Sequence, residues 1–354
     1  MTADTLSNSL NPTALNPTAL NPTGLRGIEF VEFTGPDPTA LHKLFVAFGF
    51  SQLSRHQDFA IDYYRQNGIQ LLLNQRDNGF ARSFGQLHGP SICSMGWRVD
   101  DAQKAQAAAV ARGAVPYESL SPYDLPAVFG IGESLIYFVD SDDWQDQFKA
   151  LGEPDKVADK GFTAIDHLTN NVLKGTMDKW ARFYRDVFGF TEVRYFDIRG
   201  VKTGLTSYAL RSPDGSFCIP INEGDESKSQ IEEYLREYSG PGIQHLAFLT
   251  NDLLASLDTM TDGVIETLDI DDDYYEEVFE RVPNVTEDPA RIKDHGVLVD
   301  GDDEGYLLQI FTRNLIGPIF IEMIQRKNHH SFGEGNFGAL FRSIERDQQR
   351  RGVL

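Results

Sequence analysis

Cysteine is nearly absent. Cys93 and Cys218 are the only two in 354 residues, too far apart for a CxxC redox site and too few for a disulfide framework. A reducing, cytoplasmic setting is therefore expected. Basic residues are also scarce: Lys plus Arg number 32 against 53 Asp plus Glu, for a formal net charge of −21. Such a chain repels nucleic-acid phosphates and anionic lipid headgroups, which leaves small molecules or proteins as partners. No apolar run approaches the roughly 20 residues that span a bilayer. Met1 to Gly24 has neither the basic start nor the apolar stretch of a secretory signal. What is present is ordinary globular material, 41% hydrophobic and 24% charged, long enough for about two domains.

Two repeats organise it. Residues 11–25 read NPTAL, NPTAL, NPTGL. Their prolines oppose helix and their low apolar content cannot offset ordering entropy, so residues 1–24 are expected to form a disordered tail. The longer repeat divides the chain in half. GIEFVEF (27–33) is followed by an amphipathic stretch from Asp37 to Phe48 and then Gly49-Phe50, while AIDHLTN (164–170) is followed by Thr176 to Phe188 and then Gly189-Phe190. SICSMGWRVDDAQKAQAAAVARGA (91–114) aligns with GIQHLAFLTNDLLASLDTMTDGV (242–264), and ESLIYFVD (133–140) with GYLLQIFTR (305–313). The expected fold is α+β: two tandem modules, 25–150 and 151–354, each built from two strand-helix-strands units curled around a cavity. Leu151 to Gly161 would be a polar linker. Phe337, Leu340, Phe341 and Ile344 after a candidate cap at Asn336 predict a closing helix at about 336–350.

The halves differ where chemistry is concentrated. Phe30 stands opposite His167, and Ser94 opposite His245, each histidine inside an apolar strand. One strand histidine is most simply core packing, but two at equivalent positions of a duplicated unit call for another explanation. IFIEMIQR (319–326) would bury Glu322, a carboxylate that resists ionising without a cation. The bland reading is a buried ion pair with Arg326 or another arginine. The sharper one is a facial triad of two imidazoles and a carboxylate, which leaves positions open on a non-haem Fe(II). With a divalent metal that triad carries a net charge of +1, suited to an anionic substrate.

From DHLTNNV through QHLAF, LLQIFT and IFIEMIQR to SFGEGNFGALFRSIE, the chain resembles 4-hydroxyphenylpyruvate dioxygenases of the vicinal oxygen chelate superfamily. The resemblance implies open barrels of duplicated βαβββ units. It also implies one Fe(II) per chain on His167, His245 and Glu322, and a metal-free first module. It marks a substrate pocket of Ser207, Pro220, Asn222, Gln230, Gln244, Gln309 and Phe311, closed by Phe320, Phe337 and Phe341, and gives Gln309, Phe311 and Asn222 catalytic roles. Strand alternation supports Gln309 and Phe311 on one face but turns Gln244 away from His245. The activity implied is conversion of 4-hydroxyphenylpyruvate and dioxygen to homogentisate and carbon dioxide in tyrosine and phenylalanine catabolism, by a homo-oligomer. Alternatives are 4-hydroxymandelate synthase, from whose subgroup Pro220 and Asn222 argue, and a non-enzymatic binding module of the same fold. GEGNFG (333–338) is not read as a dinucleotide loop, because no buried strand precedes it. The acidic run DIDDDYYEE (269–277) lacks a calcium-loop glycine and is expected to be a solvated loop.

Overall fold

The computed structural model describes residues 20–199, 204–224 and 229–353. Residues 1–19, most of the expected tail, lie outside them. The last five tail residues do not: Thr23 is buried, and the Asn21 side chain both donates to and accepts from the Leu25 backbone.

The first module is an eight-stranded sheet of β1 (Leu25–Thr34), β2 (Ser51–His56), β3 (Ile61–Gln66), β4 (Ile69–Asn74), β5 (Ser91–Val99), β6 (Ala127–Phe129), β7 (Leu135–Val139) and β8 (Phe148–Asp155), in the order β6-β7-β5-β1-β4-β3-β2-β8. Its helices are α1 (Pro38–Ala47), α2 (Gly79–His88) and α3 (Ala102–Ala111). The start of α1 is fixed chemically: the Asp37 carboxylate accepts from the Ala40 backbone N–H at 3.0 Å and Pro38 occupies the first turn. The expected polar linker is in part the edge strand β8, antiparallel to β2.

The second module repeats the plan with β9 (Phe162–Val172), β10 (Thr191–Arg199), β11 (Gly204–Arg211), β12 (Cys218–Gly224), β13 (Gly242–Thr250), β14 (Leu298–Gly301), β15 (Tyr306–Phe311) and β16 (Phe320–Lys327), ordered β10-β11-β12-β9-β13-β16-β15-β14. Its helices are α4 (Met177–Phe188), α5 (Gln230–Glu237), α6 (Leu253–Asp258), α7 (Asp272–Arg281), α8 (Pro289–Asp294) and α9 (Phe337–Arg350). Gly189 ends α4 in the left-handed conformation, φ +82°, and a Cβ there would sit 2.3 Å from the Leu20 carbonyl oxygen. The Gly-Phe signature thus both stops the helix and seats the chain's first described residues.

The strand registers correct one pairing. β7 runs parallel to β5 as β16 runs parallel to β13, so the counterpart of ESLIYFVD is IFIEMIQR; GYLLQIFTR matches β6 instead. Phe30 faces Gly96, which faces Tyr137; His167 faces Ala247, which faces Glu322. The two triplets are the same rung of two copies of one fold. The acidic run is corrected too. Its second half is the start of α7, and Asp269 and Asp271 are ion-paired with arginines of α9. Nor does Asn336 cap α9 through its side chain, which accepts instead from the Tyr274 hydroxyl at 2.7 Å and from Arg281.

Candidate metal centre and pocket

Three strands of the second barrel place His167, His245 and Glu322 together on its inner face, His167 and Glu322 buried and the His245 side chain 12% exposed. His167 Nε2 lies 3.0 Å from Glu322 Oε2 and 3.3 Å from His245 Nε2, and His245 Nε2 lies 3.5 Å from Glu322 Oε2. The ligand atoms lie within 4.8 Å of one another. On its other side the His167 ring donates from Nδ1 to Asp166 Oδ2 at 2.7 Å. With Nδ1 so engaged, Nε2 is the nitrogen turned to the centre, where a metal cation would take the place of its proton.

Asp166 is fixed in turn. Arg326 grips it with two parallel bonds, Nε to Oδ1 at 2.7 Å and Nη2 to Oδ2 at 2.8 Å. The bland alternative for Glu322 does not hold for Arg326, which pairs with Asp166 instead. The same guanidinium donates from Nη1 to the backbone carbonyls of His329 and Ser331, at 3.1 and 2.6 Å. It therefore ties a metal-side carboxylate to the segment leading into α9.

Electrostatics at the centre favours a positive charge. Burial pulls the His167 imidazole down, but Glu322 and Asp166 together outweigh it and hold the ring up at about 9. Burial pushes Glu322 up, yet the two histidines hold it at about 2. His245 is lowered, by burial first and then by the neighbouring His167 charge. Two imidazole nitrogens and an ionised oxygen converging in a dry site suit a divalent cation, and the donor set matches non-haem Fe(II).

Beside the centre is a cavity of about 90 Å³. The structure brings Ser207, Pro220, Asn222, Gln230, Gln244, Phe311, Phe320, Phe337 and Phe341 to its wall, as the resemblance implies. Gln309 is not on that wall. It is buried one rung further along β15, with neither amide atom finding a hydrogen-bond partner among the described residues, against Gly333, where any Cβ would come within 2.4 Å of its Nε2. The expectation that Gln244 turns away from His245 fails for a definite reason. The β9/β13 register slips between Ile243 and His245, and this bulge brings the Gln244 amide into the pocket beside Asn222, 3.4 Å away. Asn222 also donates to Asn171 at 3.3 Å. Phe320 stacks on the His245 ring, 4.6 Å between centroids, and Phe332 packs edge-on to His167. Phe332, Phe196, Ile198 and Leu205 are wall residues that sequence reasoning missed; apolar side chains in β10 and β11 carry no signal that separates pocket from core.

Comparison with known proteins identifies the chain's relatives. Residues 20–152 match the model described as hydroxyphenylpyruvate dioxygenase, HPPD, N-terminal, and residues 164–306 match the glyoxalase/bleomycin resistance protein/dioxygenase superfamily. The chain is 60% identical to protein MelA of Shewanella colwelliana and 44% identical to a 4-hydroxyphenylpyruvate dioxygenase of Legionella pneumophila, in each case over 93% of this chain and 97% of the relative. A solved triple mutant of 4-hydroxymandelate synthase from Streptomyces coelicolor superposes with a TM-score of 0.79 at 25% identity, covering 92% of this chain and 99% of that one.

Proposed function

Since the chain belongs to the 4-hydroxyphenylpyruvate dioxygenase family, we propose that it oxidises 4-hydroxyphenylpyruvate with dioxygen to homogentisate and carbon dioxide, using one Fe(II) per chain. The observation that carries this reading is the convergence of His167, His245 and Glu322 on the floor of a cavity with aromatic walls and neutral amides. Bound there, Fe(II) would supply a Lewis-acidic, redox-active centre for the 2-oxoacid and dioxygen.

The chain's own residues do the rest. His167, His245 and Glu322 occupy one side of the centre and leave the cavity side to substrate. Phe320, Phe337 and Phe341 exclude water from it. Asn222, Gln244 and Ser207 offer donors and acceptors for a phenol, and Gln230 extends that set from the start of α5. Phe311 presses on the ring from the opposite strand and sets which carbon is presented for oxidation. Anaerobic loading with Fe(II), addition of substrate and air, and chromatography of the product test the proposal. Homogentisate is expected, whereas 4-hydroxymandelate as the main product would overturn the ring-hydroxylase reading in favour of benzylic oxidation.

A further inference from the structure

The first module has lost its metal rung but keeps a cavity where the second has its substrate pocket. Registers carried outward from the rung show this. Asn74 pairs with Thr34 just as Asn222 pairs with Asn171, so Asn74 holds in the first barrel the place of Asn222 in the second. Around Asn74 lies a cavity of about 370 Å³, against about 90 Å³ at the candidate metal centre.

The two ends of this cavity have opposite character. At the inner end is Glu32, buried, which accepts from Asn74 Nδ2 at 2.7 Å, from the Tyr123 hydroxyl at 2.5 Å and from Ser94 Oγ. All three donors are neutral, and a carboxylate has about four lone-pair sites, so acceptor capacity is left over. At the outer end is Arg76, its guanidinium 4.0 Å over the Phe59 ring and its Nη2 donating to Asn78 Oδ1 at 3.0 Å. Among the described residues no acidic side chain pairs with it, although the chain carries 53 acidic residues. Phe80 and Tyr117, edge to face at 5.6 Å, line the same cavity.

We propose that this cavity binds a small aromatic acid, its carboxylate on Arg76, its ring against Phe80 and Tyr117, and a ring hydroxyl donating towards Glu32. An Arg fork matches a carboxylate with two parallel bonds, the aromatic walls match a flat ring, and a buried acceptor selects a ring substituent that donates. The assignment does not depend on the activity proposed for the second module.

Equilibrium dialysis of the Fe(II)-loaded full chain against radiolabelled 4-hydroxyphenylacetate, under nitrogen, tests it. Two sites per chain are expected if the second pocket also takes this probe, and one if it does not; either way one site depends on Arg76. Arg76→Gln should weaken that site tenfold or more while leaving turnover unchanged. Arg76→Lys, which keeps the charge but loses the fork, should fall between. Phenylacetate, lacking the hydroxyl, should bind this site more weakly, and 4-hydroxyphenethylamine, with a cation in place of the carboxylate, should not bind it. Absence of any Arg76-dependent site, or equal binding of the acid and the amine there, would overturn the proposal.

Discussion

The interiors of the two barrels are the same place filled in opposite ways. In the first, Phe30 sits where His167 sits in the second, packed against Trp144, Tyr123 and Tyr137 with ring centroids 5.0, 5.5 and 6.1 Å away. Gly96 makes room for it, since a Cβ there would come within 2.4 Å of the ring. In the second, Ala247 replaces that glycine and the aromatic plug gives way to two imidazoles and a carboxylate. Aromatic filling stabilises a barrel through burial alone, whereas converging polar groups cost stability unless something answers their charge. Duplication has allowed one copy to carry that cost while the other shares a large apolar core with it, through contacts such as Trp97 with Phe188 and Phe50 with Phe248.

Substitution on the shared rung gives the largest contrast. His167→Ala is expected to abolish stoichiometric iron and reduce turnover on the order of 1000-fold or more while the fold survives. Phe30→Ala is expected to keep one iron per chain and to cost about 3–5 kcal/mol of stability. Elemental analysis and urea denaturation read the two outcomes, and two irons per wild-type chain would break the comparison.

The next contrast lies one residue back. Glu29 stands where Asp166 stands, and it too pairs with an arginine, Arg98 at 2.7 Å, but it has no histidine to orient. Asp166→Asn should weaken metal binding about 10–100-fold, the usual size for a partner that fixes a ligand's tautomer; Glu29→Gln should leave it unchanged. Titration with Co(II), followed by visible absorption, measures both without recourse to turnover. Equal effects from the two substitutions would reduce Asp166 to a structural role.

A smaller effect is expected at Phe311. Misplacement of a reacting group by about 1 Å can cost on the order of 100-fold, so Phe311→Ile should divert part of the product from homogentisate to benzylic or other misdirected oxidation at similar oxygen consumption. An unchanged product ratio would remove Phe311 from the orienting set.

What could be read from the sequence followed its periodicities. The helix after Asp37, the Gly-Phe stops and the alignment of Phe30 with His167 and Ser94 with His245 depend on local spacing, and the registers place them as expected. The pairing of β7 went wrong because short apolar strands look alike, and only parallel hydrogen bonding to β5 identifies its counterpart. Gln244 was turned to the wrong face because strict alternation has no means of anticipating a bulge. Asp166 and Arg326 were both visible as residues, but the bond between them closes a loop of 160 residues, and no local pattern encodes it. Arg76 and Glu32 were equally silent, since Glu32 lies within the apolar strand β1 and Arg76 in the polar segment after β4, and neither stretch carries a motif.

The acidic run at the start of α7 has a consequence for access to the pocket. Asp271 holds Arg342 and Arg346, Asp269 holds Arg350, and Glu233 holds Arg351, so α9 is fastened along its length by a comb of arginines. Three of these four pairs are about a third exposed or more on both partners, where each contributes roughly 0–1 kcal/mol. They are also screened over about 8–10 Å at ordinary salt. The buried triad is largely shielded from that screening. Hydrogen exchange in α9 should therefore quicken as sodium chloride is raised while exchange in β9 and β13 stays constant, which makes the ionic strength of the medium a control on how often the pocket opens to its surroundings.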